Sequence, residues 1–207
     1  MMAVALKTRI ASMERLRNLA LNQTFDEPFI RRVEEESGQQ ISKCYQCGNC
    51  SASCNYTFVY DYPVNQIMRL IQLGQKAAVL SSRSIWLCAA CTACSTRCPC
   101  NIEVTRVMEV LRVMSLEEGF VSIKDVEIFY KEFLNSVKLF GRVFETGLLP
   151  IVNLRTGRFT NDMELASKVF KARKLHLLPS IIKGRKDVSA IFNRFESWRR
   201  EKITNES

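Results

Sequence analysis

The chain has 207 residues, of which 47% are hydrophobic and 25% charged, with a formal net charge of +9. These values suit one globular domain, or one domain with appended helices, and exclude a disordered or fibrous chain. No apolar run reaches the ~20 residues that cross a bilayer, and Lys7 and Arg9 interrupt the apolar start before any leader-like core is built, so a cytoplasmic protein is expected.

Helical periodicity dominates from the first residues. Leu6, Ile10 and Met13 repeat at helix spacing, and Leu16 and Leu19 to Leu21 continue the apolar content. A second, short helix is predicted from Asp26 toward Gly38, with Asp26 as cap, Pro28 in the first turn and Gly38 as terminator. The cysteine-bearing region follows as an internal pseudo-repeat. Asp61-Tyr62-Pro63 reads as a helix start, with Val64, Ile67, Met68 and Ile71 on one face and Gly74 as the stop. In the second half Asn101 is the expected cap of a helix in which Val104, Val107, Met108 and Leu111 share a face, ended by Gly119.

Further along, Ser122 and Asp125 resemble a capping box. Val126, Phe129, Tyr130, Phe133, Leu134 and Val137 then form the most regular apolar stripe of the chain. Weaker helices are predicted at Asp162–Ala172 and Asp187–Arg200, the latter with Val188, Ile191, Phe192, Phe195 and Trp198 on one face. Most of these stripes are expected to build the core, and partner helices are the alternative cover. No segment reads as a strand.

All nine cysteines lie between Cys44 and Cys100. Disulfide scaffolds spread their cysteines along the chain, so this clustering points to metal or redox chemistry. Eight of the nine form two runs, Cys44-x2-Cys47-x2-Cys50-x3-Cys54 and Cys88-x2-Cys91-x2-Cys94-x3-Cys98. A cubane cluster presents several irons, each needing a thiolate. Three cysteines spaced three apart can wrap three corners, and the fourth ligand must come from elsewhere. In two-cluster ferredoxins the fourth cysteine of each run serves the other cluster. Two [4Fe–4S] clusters are therefore expected, one on Cys44, Cys47, Cys50 and Cys98, the other on Cys88, Cys91, Cys94 and Cys54. A loaded chain would carry about +5, because the thiolates outweigh the iron–sulfur cores.

Zinc is the competing reading, since it also takes soft thiolates in C-x2-C pairs. Two complete triple-plus-one runs exceed what a zinc ribbon needs. Pro99 is expected to turn the chain out of the second loop, whereas Asn55 stands at that place in the first. Gly48 would let the backbone approach the cluster. Cys100 reads as a small buried hydrophobe, with a spare ligand or redox thiol as alternatives. Trp86 could shield a cluster or pack in the core, and the single histidine, His176, reads as incidental. The sequence holds neither a dinucleotide-binding nor a phosphate-binding glycine loop. Residues 151–207 carry 13 Lys/Arg against 6 Asp/Glu, either a docking surface for an acidic partner or an ordinary solvated face. Nucleic-acid binding has charge but no motif to support it.

Two such runs in a helical chain resemble HdrC, the small iron–sulfur component of heterodisulfide reductase. The segment Gly141-Arg142-Val143-Phe144-Glu145, the tail Lys174-Leu175-His176-Leu177-Leu178-Pro179 and Lys183-Gly184 are similar to that family's C-terminal region. The resemblance implies an α-helical ferredoxin-like core with two [4Fe–4S] clusters and additional N- and C-terminal helices. It divides the chain into N-terminal helices (1–40), a dicluster domain (41–120) and a basic helical docking extension (121–207). It also implies a relay of single electrons between two partners. One is an HdrA-like flavin subunit, the other an HdrB-like protein that reduces the coenzyme M–coenzyme B disulfide at CCG-type clusters. No adjacent Cys-Cys pair exists in this sequence, so the chain is expected to be non-catalytic on its own. A free ferredoxin and a zinc protein with a nucleic-acid-binding tail are the alternatives.

Overall fold

A computed structural model of the chain describes residues 25–157 and 179–206. The helix expected around Leu6 to Leu21, the helix expected at Asp162–Ala172, and His176 lie outside the described residues. The described residues are mostly helical and contain no strand. In chain order the helices are α1 (Glu27–Ser37), α2 (Asn49–Ala52), α3 (Val64–Gln72), α4 (Lys76–Leu80), α5 (Arg83–Leu87), α6 (Ala93–Thr96), α7 (Val104–Glu117), α8 (Lys124–Phe140), α9 (Glu145–Thr156) and α10 (Arg185–Glu206). Short 3-10 turns at Ile41–Lys43 and Thr57–Val59 flank the first cysteine run. The chain divides into two compact units, residues 1–123 and 124–207.

The first unit is organised by α3 and α7. The Asp26 carboxylate accepts from the Phe29 N–H at 2.8 Å to start α1, Pro28 occupies its first turn, and left-handed Gly38 ends it. Helix α1 packs on α7 and α3 through Phe29 and Val33. The expected faces of α3 and α7 are both buried, with Ile67, Ile71, Val107 and Leu111 fully enclosed. Each contributes roughly 2 kcal/mol through apolar burial. Asn101 does not cap α7. It adopts a left-handed conformation at φ 53°, and the helix begins at Val104 with Glu103 at the cap.

Gly74 ends the α3 segment at φ +60°, and its carbonyl accepts from the Asp26 N–H at 3.1 Å. A Cβ there would stand 2.6 Å from that backbone nitrogen. Conformation and space thus both demand glycine at the point where α1 meets α3.

Asp61, expected to start α3, instead bridges the two halves. It is 5% exposed. Its Oδ1 accepts from the hydroxyls of Ser84 at 2.6 Å and Ser82 at 2.7 Å and from the Ser84 N–H at 3.0 Å, while Oδ2 accepts from the Arg83 N–H at 2.8 Å. Helix α5 runs straight into Cys88, so this carboxylate ties the exit of the first cysteine run to the entrance of the second. Burial alone would raise its pKa. The donors from Ser84, Arg83 and Ser82 outweigh burial and hold it below the ordinary carboxylate value.

In the second unit α8 packs against α9 and α10. The expected apolar stripe of α8 is only partly covered. Phe129, Tyr130 and Leu134 are exposed, and the buried positions of the helix are Glu132 and Ser136. Those two are covered because α9 and its approach partner them. Glu132 pairs with Arg155 at 2.8 Å, and the Ser136 hydroxyl accepts from the Phe144 N–H at 2.8 Å. Ile191, Phe195 and Trp198 of α10 are also exposed. Val126, Phe133 and Val137 of α8 and Val188 and Phe192 of α10 are half-buried, so the apolar faces are core in the first unit and only partly covered in the second.

Gly74→Ala is expected to lower stability by about 2 kcal/mol, measured by denaturant unfolding. Asp61→Asn should cost about 2 kcal/mol at neutral pH, because an amide NH2 would face N–H and O–H donors. The Asp61 pKa is lowered on folding, so its stabilisation is full above the unfolded value of about 4 and is lost as pH falls through the folded one. The asparagine variant should show a flatter acid limb of stability.

Candidate metal centre

The two cysteine runs adopt matching backbones. Gln46 and Ala90 are left-handed at φ 66° and 53°, and Gly48 and Thr92 at φ 81° and 64°. Each loop then enters a short helix, α2 or α6, and these two helices lie against each other. Non-glycine residues at positive φ cost on the order of 1 kcal/mol or more. Left-handed residues in a tight loop turn neighbouring N–H groups toward one side, a cradle for negative charge. In the first loop the Gln46 side-chain amide donates to the Cys44 sulfur at 3.4 Å. A Cβ at Gly48 would meet nothing within 4 Å, and Thr92 carries a side chain at the matching place. Gly48 is thus suited to its turn by conformation and not by clearance.

The eight candidate ligands gather into two groups, each drawn from both runs. One cavity, about 360 Å³ with its mouth, is walled by Cys44, Cys47, Cys50 and Cys98. A second, about 350 Å³, is walled by Cys88, Cys91, Cys94 and Cys54. Met68 closes the first and Met108 the second. No acidic or basic side chain lines either. Cys50 and Cys94 form the inner ends of the loops at 8% exposure each, whereas Cys47 and Cys91 are exposed. In the metal-free chain burial pushes the Cys50 thiol up to about 11, so loading must displace a proton there.

The loops are fastened to the long helices by repeated contacts that periodicity does not reveal. The Ser51 hydroxyl accepts from the Asn65 N–H at 2.9 Å and donates to the Asn65 side chain at 2.6 Å. In the other half the Ser95 hydroxyl accepts from the Thr105 N–H at 3.2 Å and lies 3.1 Å from the Thr105 hydroxyl. Each serine follows the third cysteine of its run and caps the helix that follows that run. Gln72, at the end of α3, donates to the carbonyls of Cys44 at 2.8 Å and Ile41 at 3.0 Å. Its counterpart on α7, Arg112, reaches the Cys88 carbonyl at 3.4 Å. Asn65, Met68 and Gln72 stand forty positions before Thr105, Met108 and Arg112. Aligning the helices in this way would have found the pairs in the sequence.

The remaining candidates fall into place. Where the first run lacks a proline, the Thr57 hydroxyl donates to the carbonyls of Ser51 and Cys54, both at 3.0 Å, and turns the chain. Trp86 is buried and is not among the residues walling either cavity. Cys100 is half-buried in the first cavity wall, with its thiol donating to the Lys43 carbonyl at 3.0 Å. The donor set is soft thiolate in apolar walls with an amide N–H donating to sulfur, which fits iron–sulfur clusters.

Comparison with known proteins agrees with this chemistry. Residues 40–102 match the 4Fe-4S dicluster domain. The chain is 28% identical over 110 residues to the C subunit of the H(2):CoB-CoM heterodisulfide,ferredoxin reductase of Methanothermobacter thermautotrophicus, covering 53% of this chain and 60% of that protein. It is 33% identical over 89 residues to the iron-sulfur C subunit of the CoB--CoM heterodisulfide reductase of Methanopyrus kandleri, covering 43% and 46%. It is 39% identical over 88 residues to the C subunit of the ferredoxin:CoB-CoM heterodisulfide reductase of Methanosarcina acetivorans, covering 42% and 34%. The chain thus spans 60% or less of the length of each of these relatives. A dicluster domain matched over both cysteine runs, with relatives that share one subunit name, makes this chain similar over its cysteine-bearing half to the iron–sulfur C subunits of heterodisulfide reductases.

Proposed function

We propose that this chain is the electron-relaying member of a heterodisulfide-reductase-type complex. It holds two [4Fe–4S] clusters on crossed thiolates, Cys44, Cys47, Cys50 and Cys98 for one and Cys88, Cys91, Cys94 and Cys54 for the other. The observation that carries this reading is the make-up of the two cavities, each walled by three cysteines of one run and the last of the other. Bound clusters of this kind supply one-electron couples. The protein's share is to hold the thiolates, to donate an amide N–H to sulfur, and to keep α2 and α6 adjacent so that the two sites are neighbours. Its partners in this reading are an HdrA-like, flavin-containing protein on one side and an HdrB-like, CCG-type protein working on the heterodisulfide on the other.

The second unit provides the docking surface. Helix α10 places Ile191, Phe195 and Trp198 in solvent among Arg185, Lys186, Arg194 and Arg200. The Phe195 and Trp198 rings lie 5.8 Å apart, a paired aromatic anchor of the sort that dominates interfaces.

Crossing is tested with serine variants read by site-resolved spectra. Cys98→Ser is expected to perturb the same signal as Cys47→Ser, and Cys54→Ser the same signal as Cys91→Ser. The opposite pairing would refute the crossed assignment. The Phe195→Glu, Trp198→Glu double variant should keep its helical signal and iron load while weakening capture of a co-expressed flavin-type or CCG-type partner at least tenfold. Undiminished capture would remove α10 from the interface.

A further inference from the structure

The two sites stand on matching frames, so the positions where the frames differ are informative. Gln72 holds the Cys44 carbonyl and its counterpart Arg112 approaches that of Cys88, a neutral amide against a cation. Tyr60, 5% exposed, stands in the second cavity wall with Cys54 and Cys88. Forty positions on, its counterpart in the first cavity wall is Cys100, whose proton is committed to the Lys43 carbonyl. In the other direction, Gln46 donates its side-chain amide to the Cys44 sulfur at 3.4 Å, and the matching residue, Ala90, has no side-chain donor to offer. The first site therefore has two neutral amides and, in its wall, an exposed phenol, Tyr45. The second has a buried phenol in its wall and a guanidinium behind it. Burial does not separate them, because Cys50 and Cys94 are equally enclosed and Cys47 and Cys91 are both exposed.

We propose that Arg112 and Tyr60 make the Cys54, Cys88, Cys91 and Cys94 site the more easily reduced of the two, so that an electron shared by the pair rests there. This inference rests on the two-cluster reading above. Accepting an electron adds one negative charge at a site, and a nearby cation and a hydroxyl donating to thiolate sulfur both stabilise that charge. With clusters bound at both sites, one electron would pass from the first to the second, and no bond would form or break.

The test is a redox titration of the anaerobically purified, iron-loaded full chain, followed by EPR, with the two waves assigned by Cys47→Ser and Cys91→Ser. The wave sensitive to Cys91→Ser is expected to lie at the higher potential. Arg112→Gln, which copies Gln72, and Tyr60→Phe should each lower the reduced-to-oxidised ratio of that wave about tenfold at fixed potential, or about 59 mV for a one-electron couple. Arg112→Lys should keep it in place. Gln72→Arg, which copies Arg112, should move the other wave upward, and this holds the proposal to account even where Arg112→Gln loses its iron. A higher wave that answers to Cys47→Ser, or one unmoved by both Arg112→Gln and Tyr60→Phe, overturns the proposal. A wild-type chain without paired [4Fe–4S] signals overturns the two-cluster reading as well, which distinguishes that failure from a reversed ranking.

Discussion

A loop with cysteines three residues apart can reach three corners of a cube-shaped group and cannot reach the fourth. The rest of the first unit follows from how this shortfall is met. The last cysteine of each run stands in the wall of the other run's cavity, so neither half is complete alone. The halves must therefore be held together as tightly as the loops themselves. The contact of α2 with α6, the Asp61 carboxylate reaching from the exit of one run to the start of α5, and the shared packing of α1 on α3 and α7 all serve that end.

The halves repeat one plan with two registers. Matching cysteines stand forty-four residues apart and matching helix positions forty, the difference lying in the longer path from Cys54 to Val64. That path carries Thr57, Tyr60 and Asp61, which turn the chain, wall the second cavity and bridge the halves. That longer path thus supplies the joint between the halves and, in Tyr60, one of the chemical differences between the two sites.

The sequence made much of this legible, for reasons that differ by element. The faces of α3 and α7 were readable because Ile67, Ile71, Val107 and Leu111 are buried by helices of the same unit, the situation that periodicity reports. The stripe of α8 shows the limit of that signal, because periodicity marks a face that wants cover without saying what covers it. Asn101 has the chemistry of a cap, yet the turn after Cys98 claims it in a left-handed conformation and the helix starts later. Asp61, Ser51 and Gln72 were not visible as site residues. Each acts on a partner between 14 and 31 positions away, and only the fold brings those partners together.

The central claim is that the eight thiolates hold two iron–sulfur cubes. It is met most directly by measuring iron, zinc and acid-labile sulfide on anaerobically purified protein, with EPR after dithionite reduction. The expected result is about eight iron and eight sulfide per chain, with the interacting signals of two neighbouring reduced [4Fe–4S] clusters. Stoichiometric zinc without sulfide would contradict the account, and would make the cysteine loops a structural metal site.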